Sequence, residues 1–528
     1  MNRINTSALV VTILFIVVFI ASIQILQYSI FKGAYFPIDD AYIYYQQAKN
    51  LIRGEFFSFS YGGESTNSNT SVLYYLISTL IMYLSQTFST NLDEILQNIV
   101  YISVVFNIFY AFFSVVLYQK LINLFDISKD QRMWLMLSVF TTAPVVFAYV
   151  SGLETGLTIV IILTQLVLLL NQKMALFTLV SVIASIHRPE NIIVNLAYVA
   201  IIIPFLLNNI DIKVKAKVAV IIFISTMSIP LLNYLLTGDY RSASAARTEF
   251  VGFINIFYNL FHFFSAGFSN PGGVEPYFQN IFKYFRYIIG FIVVTPLFFI
   301  FIKKCKGHYV NFDSFQGCFK FIQLHPKKLI LFIVVSSYLL APLFIGGGSG
   351  EWARYLSPTL PIFYLILAKI LNYQRNALIS VIFINILLIV LYINSYLNMT
   401  SIYTSVLHPA AKQIEFLAKK DDIVAIDSAG FLSHYIKGEV VDVYGLGTNR
   451  YMKVHGDFKE VYKLLNADKF NYVITWLSKK PKYYLDSAHY FQALKGVNIE
   501  EVYRVKVEAF SYLEEFPEAM VIYRITPQ

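Results

Sequence analysis

The chain has 528 residues, 57% hydrophobic and 14% charged, with a formal charge of +9 and a mean hydropathy of +0.59. Soluble globular chains carry about 25% charged residues, so a wholly soluble protein is excluded and a membrane protein indicated. Residues 1–397 hold 25 Lys/Arg and 16 Asp/Glu, whereas residues 398–528 hold 16 of each. A bilayer-embedded module at 1–397 and a soluble domain at 398–528 follow. The basic excess is dispersed in short loops, which reads as membrane topology and argues against a nucleic-acid surface.

In chain order, Arg3 precedes an apolar run from Ala8 to Ile30 that is too long for a signal-peptide core and lacks a small-residue cleavage site, so it is an uncleaved first helix. Ten further apolar stretches are expected to span the bilayer, near 98–119, 132–150, 154–171, 174–187, 190–208, 218–236, 287–302, 329–346, 355–371 and 377–397. Val72–Tyr83 with its flanks covers about 21 Å of a roughly 30 Å hydrocarbon core and reads as juxtamembrane. With Arg3 inside, this scheme of eleven spans leaves sixteen basic residues cytoplasmic and nine outside; counting Val72–Tyr83 as a span reverses every later loop. It places residues 398–528 on the extracytoplasmic face, with twelve of the sixteen acidic residues of the membrane module.

The first outer loop, about 31–97, contains Pro37-Ile38-Asp39-Asp40-Ala41-Tyr42, and apolar residues at 41, 44, 45, 48, 51 and 52 predict a helix lying on the bilayer. Asp39 and Asp40 stand at its N-terminus, as helix caps or as functional carboxylates. Polar residues recur at the other outer turns: Ser151-Gly152-Leu153-Glu154, His187-Arg188-Pro189-Glu190 and Gly350-Glu351-Trp352-Ala353-Arg354. Ionisable residues beside apolar spans are costly and mark function, unless Arg188–Glu190 and Glu351–Arg354 are local ion pairs and His187 a hydrogen-bonded packing residue. The aromatic loop from Thr237 to Arg286 reads as a lid over a cleft or as an interfacial anchor. Cys305, His308, Cys318 and His325 fit no common zinc spacing, and the soluble region has no cysteine and hence no disulfide framework.

From His408 the periodicity changes to that of a small α/β sandwich: a helix at 409–420, strands at Ile423–Asp427, Val440–Tyr444 and Tyr472–Trp476, a helix near 457–466, and strands near Val502–Phe510 and Ala519–Ile525. Asp427 and Asp442 fall at strand ends, where they bind ligand or cap turns.

Asp39-Asp40-Ala41-Tyr42-Ile43 with Ala48-Lys49-Asn50-Leu51 and Gly54, then Tyr61-Gly62-Gly63-Glu64, resembles the first outer loop of GT-C glycosyltransferases. The branch with mycobacterial terminal arabinofuranosyltransferases is most similar, and Ser151–Thr155, Arg188-Pro189-Glu190, Arg354-Tyr355-Leu356, Val424–Gly430 and Val440–Leu446 look like its further motifs. Asn191 stands where relatives usually have Gly, and Gly447-Thr448-Asn449 where many have Thr/Asn-Asp-Pro, so the donor sugar stays open. The resemblance implies a polytopic α-helical GT-C membrane module with an extracytoplasmic α/β domain. It further implies an inverting transferase in the cell membrane, moving a polyprenyl-phosphate-linked sugar to an envelope glycan, lipid or protein acceptor. In it Asp39 is the general base, Asp40 orients the acceptor or holds a divalent cation (Mg2+ or Mn2+), and Arg188 and Arg354 neutralise the leaving phosphate. Glu154 positions the acceptor or supports Asp40, and Tyr42, His187, Glu190, Glu351 and Asp442 complete the donor and substrate set. A secondary transporter or a non-catalytic envelope-assembly protein is the alternative; there is no hydropathy repeat or Gly/Pro-broken span pair, and eleven spans exceed what an anchor needs.

Overall fold

The computed structural model describes residues 6–66, 68, 71–125, 127–207, 210–240, 326–345, 357–370, 375–443, 445, 447–454, 458–478, 494, 496–507 and 517–527. The expected span at 287–302, nearly all of the aromatic loop, the Cys305–His325 cluster, Glu351 and Arg354 lie outside the described residues.

The N-terminal part is helical: α1 (Thr6–Phe31), α2 (Asp40–Ile52), α3 (Val72–Phe88), α4 (Leu92–Ile122), α5 (Lys129–Phe140), α6 (Ala143–Phe147), α7 (Thr155–Leu170), α8 (Met174–Ser185), α9 (Glu190–Ala197), α10 (Ile212–Thr237), α11 (Pro326–Ile345), α12 (Leu360–Ile370) and α13 (Arg375–Ile402). Among the described residues three helices are by themselves long and apolar enough to cross a bilayer, within α1, α4 and α10, and several shorter apolar helices join them. Val10, Leu14, Val18 and Ile25 of α1 are exposed, an apolar face that a water-soluble helix would bury. The chain is a membrane protein.

One expected continuous span is interrupted, and two others change helical type along their length. Between 132 and 150 the helix stops at Phe140 and restarts at Ala143. Pro144 lacks an N–H and its ring would strike the carbonyl four residues back, so one helix cannot pass through it. α9 passes into a wider π-helical turn at Tyr198–Leu206 around Pro204, and α12 is preceded by a 3-10 turn at Ser357–Thr359.

α13 does not end at 397: it continues through a π-helical turn, Tyr403–Leu407, into α14 (His408–Leu417), so one rod links the membrane module to the C-terminal sheet. The sheet comprises β1 (Ile423–Ile426), β2 (Glu439–Asp442), β3 (Tyr472–Ser478), β4 (Val497–Lys506) and β5 (Pro517–Pro527), in the order β2-β1-β3-β5-β4. β1 pairs parallel with β2 and β3, while β5 pairs antiparallel with β3 and β4. Strand alternation gives the sheet two apolar faces. Ala425, Val441, Val473 and Val521 pack on Tyr451, Val461 and Leu465, from α15 (Asn449–Val454) and α16 (Phe458–Ala467). Val424, Ile426, Val440, Ile474 and Ile522 share a core with Ala411 and Ile414 of α14 and with Tyr42, Tyr45 and Phe59 of the first loop. The sheet is thus built onto the first loop and not tethered beside it.

α2 accordingly differs from a helix lying on a bilayer. Its residues from Ala41 to Ala48 and Asn50 are buried, the polar Gln46, Gln47 and Asn50 included. Asn50 Nδ2 donates to the carbonyls of Ser58 and Phe59 at 3.1 and 2.9 Å, and Gln47 Nε2 to Thr66 Oγ1 and Ser68 Oγ at 2.9 and 2.6 Å. Through these bonds the buried side chains hold the loop that covers them.

Candidate active site

Asp39 occupies the residue before α2, with φ −61° and ψ −35°, yet its carboxylate makes no cap bond to its own helix. Instead Oδ2 accepts the backbone N–H of Gly430 and Oδ1 that of Phe431, both at 2.8 Å. These donors lie at the start of a 3-10 turn, Phe431–Tyr435, just after β1. The half-buried carboxyl is pushed up to about 6 by burial; the two N–H donors work against that, and Asp40 and Asp427 add to it. A carboxyl poised near neutrality is of a kind suited to general-base chemistry. Asp40, the first residue of α2, is half-buried beside it.

Tyr42, one turn along, is buried. Its hydroxyl accepts the Phe36 N–H at 3.1 Å and its ring packs on Phe431 and Tyr403, which fixes the segment leading into Asp39. Phe36 also packs on Gly152, where φ is +75° and a Cβ would collide with the ring. That contact brings the first loop against the Ser151–Glu154 turn.

Glu154, Arg188 and Glu190 form one ion-pair cluster. Arg188 binds Glu190 through Nε and Nη2 at 2.9 and 2.6 Å, and Glu154 Oε1 through Nη1 at 3.1 Å. Arg188 and Glu154 are 4% exposed and Glu190 1%, so the three charges are out of water. His187 is held at both ring nitrogens, by Ser71 Oγ and Thr158 Oγ1 at 2.9 Å each, which ties the start of α3 to the turn before α9. The Arg188–Glu190 ion pair and the packing role of His187 are therefore both present in the geometry. Asn191 has a structural use: Nδ2 donates to the Ala184 carbonyl at 2.9 Å and Oδ1 accepts the Tyr338 hydroxyl.

Asp442 is fully buried and turned back on its own loop, where Oδ2 accepts the Gly447 N–H at 2.7 Å and its N–H donates to Thr448 Oγ1 at 2.9 Å. This is the turn-capping arrangement. Asp427 Oδ2 accepts Thr475 Oγ1 at 2.7 Å and the Trp476 N–H at 2.8 Å. Among the described residues no three His, Cys, Asp or Glu side chains are grouped as metal ligands, and both Asp39 oxygens already accept N–H donors. Among the described residues the side chains around Asp40 do not form a metal cage.

The Val424–Gly430 motif was visible in the sequence, but not Phe431, nor that Gly430 and Phe431 contribute their backbone N–H groups. The available signal was a glycine shortly after a strand end. Sequence reasoning also missed the ties between the start of α4 and the sheet domain: Asp93 accepts the Tyr435 hydroxyl at 2.6 Å and pairs with Lys412 at 2.8 Å.

A helical membrane module whose first loop shares a core with an α/β domain defines the class of the fold. No protein-family model matches the chain, and no curated protein matches it. Among solved structures the fold is similar to that of ArnT from Cupriavidus metallidurans, crystallised bound to undecaprenyl phosphate, with a TM-score of 0.50, 11% sequence identity and 97% of each chain covered.

Proposed function

We propose that the protein is an integral-membrane inverting glycosyltransferase that moves a sugar from a polyprenyl-phosphate donor to an envelope glycan, lipid or protein acceptor on the extracytoplasmic face. The observation that carries the reading is Asp39, a carboxyl poised at about 6 where the membrane module meets the sheet domain, in a fold similar to one crystallised with a polyprenyl phosphate. Asp39 takes the proton from the acceptor hydroxyl as that oxygen attacks the anomeric carbon. The bond from that carbon to the phosphate oxygen breaks on the opposite face, and the lipid phosphate leaves with the electron pair. Asp40 orients the acceptor.

The leaving phosphate falls to Arg354, because a guanidinium fork suits the phosphate oxygens. Arg188 is engaged by two carboxylates, so its part is to fix the turns beside the cleft. A polyprenyl donor suits an outer-facing site, where nucleotide sugars are absent and the bilayer delivers the substrate. The donor sugar stays open within pentoses and hexoses, arabinofuranose included.

The test is intact-mass analysis of lipids that co-purify with wild-type and Asp39→Asn protein, followed by a transfer assay with the enriched species. A polyprenyl-phosphate sugar that accumulates on the variant and is consumed by wild type is the expected result. Absence of any such lipid on both proteins, with none consumed, overturns it.

The Asp39 pKa also sets a pH dependence. The base must be ionised, so kcat/KM is expected to rise about tenfold per pH unit below about 6 and to level off above it. Stability runs the other way. A carboxyl raised in the folded state contributes most below its unfolded value of 3.8, and that contribution is lost as pH rises through about 6. A rate profile flat between pH 5 and 8 removes Asp39 from the base role.

A further inference from the structure

We propose, resting on the transferase reading, that residues 427–431 of the sheet domain are a positioning element for Asp39, which serves as the base only while that domain is seated on the first loop. The chain of contacts is continuous from the sheet to the carboxylate. Asp427, the residue after β1, is tied to β3 by the bonds from Thr475 Oγ1 and the Trp476 N–H at 2.7 and 2.8 Å. Trp476 Nε1 donates to Ser428 Oγ at 2.7 Å, so the turn leaving β1 is fixed to its neighbouring strand by three bonds. Two residues later the Gly430 and Phe431 N–H groups reach the two oxygens of Asp39, and Ser433 Oγ donates to the Gly430 carbonyl at 2.7 Å.

Two donors on two oxygens fix the plane of a carboxylate, where one would leave it free to rotate. Each oxygen keeps lone-pair capacity for an acceptor hydroxyl. The Ala41 and Tyr42 N–H groups at the start of α2 are already taken by the carbonyls of Ile38 and Asp39, so no cap bond from the Asp39 side chain is called for there. The carboxylate makes none, and its donors come from the other domain. The approach requires glycine at 430, because a Cβ there would collide with both the backbone carbonyl and the carboxylate of Asp39. Phe431 locks the register by placing its ring against Tyr42, Tyr403 and Tyr435, with centroids 5.2, 5.5 and 5.3 Å away.

The test uses the whole chain in lipid nanodiscs, with the lipid that co-purifies with the Asp39→Asn protein as the donor. Gly430→Ala is expected to lower kcat about 100-fold with KM for the donor within threefold of wild type, since a displacement of about 1 Å costs that much in orientation. Asp427→Asn, which weakens the tie to β3, should lower kcat about tenfold with the same KM at pH 8, where Asp39 is ionised whether or not the Asp427 charge stands near it. A reciprocal measurement covers the case in which Gly430→Ala does not fold: amide exchange of the 428–435 segment should quicken at least tenfold in Asp39→Asn, whose amide nitrogen faces an N–H donor. Full kcat in Gly430→Ala or Asp427→Asn, or exchange indifferent to Asp39→Asn, overturns the positioning role. If Asp39→Asn is inactive while both domain variants transfer normally, the positioning role fails alone. If wild type transfers no sugar, the transferase reading fails and the positioning role with it.

Discussion

Asp39→Asn is expected to lower the transfer rate by about 1,000-fold, within the 10²- to 10⁴-fold range that general-base catalysis contributes, while leaving the donor bound. The amide occupies nearly the same volume and keeps one acceptor oxygen, so one of the two 2.8 Å bonds from Gly430 and Phe431 survives. The other is replaced by an N–H facing an N–H, a local cost of about 1–3 kcal/mol that loosens the turn without unfolding the chain. Asp39→Glu keeps the charge but moves it along by one methylene, and is expected to retain about 1% of the rate through misplacement. Single-turnover transfer with bound donor separates the two effects, because donor binding and chemistry are then read independently. Transfer by Asp39→Asn above one tenth of the wild-type rate removes it as the base.

The same residue shows what the sequence makes legible and what it does not. Asp39-Asp40 behind Pro37 announces a special site because two adjacent carboxylates beside apolar spans are costly wherever they are placed. The three other outer turns that carry ionisable residues were visible for the same reason, and the structure brings two of them, at Ser151–Glu154 and His187–Glu190, against the first loop through Phe36, Ser71 and Tyr74. Which carboxylate has a partner was not visible. Arg188 looks like a phosphate receptor by type and is found between Glu154 and Glu190, because a guanidinium two residues from a carboxylate closes on it before any ligand arrives. Asp442 ends a strand as a ligand-binding aspartate does, yet turns onto Gly447.

Long-range backbone contacts leave still less trace. The donors to Asp39 are amides from about 390 residues further along, and any residue supplies an amide; only the crowding at Gly430 betrays them. The outer edge of the sheet was misplaced for a related reason. β4, expected near 502–510, runs from Val497 to Lys506. Its Glu500, Glu501, Arg504 and Lys506 dilute the apolar alternation, and such charges suit an edge strand because they discourage pairing with another chain. Local chemistry and apolar runs are written in the sequence; which surfaces meet is decided by a core assembled from both halves of the chain.

Arg188→Met is expected to cost about 3–5 kcal/mol of stability, the range for breaking a buried ion pair from one side. Methionine fills much of the guanidinium's space, so the cost is electrostatic more than steric. Glu154 and Glu190, both almost wholly buried, lose their counter-charge, and Glu154 Oε2 has no hydrogen-bond partner among the described residues to fall back on. The contrast with the exposed pairs of the sheet domain is the reason for the size. Lys463–Glu460 and Arg504–Glu501 stand in water, where removing one partner costs about 0–1 kcal/mol. Replacing the two glutamates with glutamine in the Arg188→Met background should recover most of the loss, because residues in one ion-pair network do not contribute additively. The measurement is denaturant unfolding in mixed micelles for the four combinations of the arginine and the glutamate pair. A loss below about 1 kcal/mol for Arg188→Met, with the charges additive, would mean that water reaches the cluster in the membrane; Arg188 would then be free to meet the lipid phosphate directly.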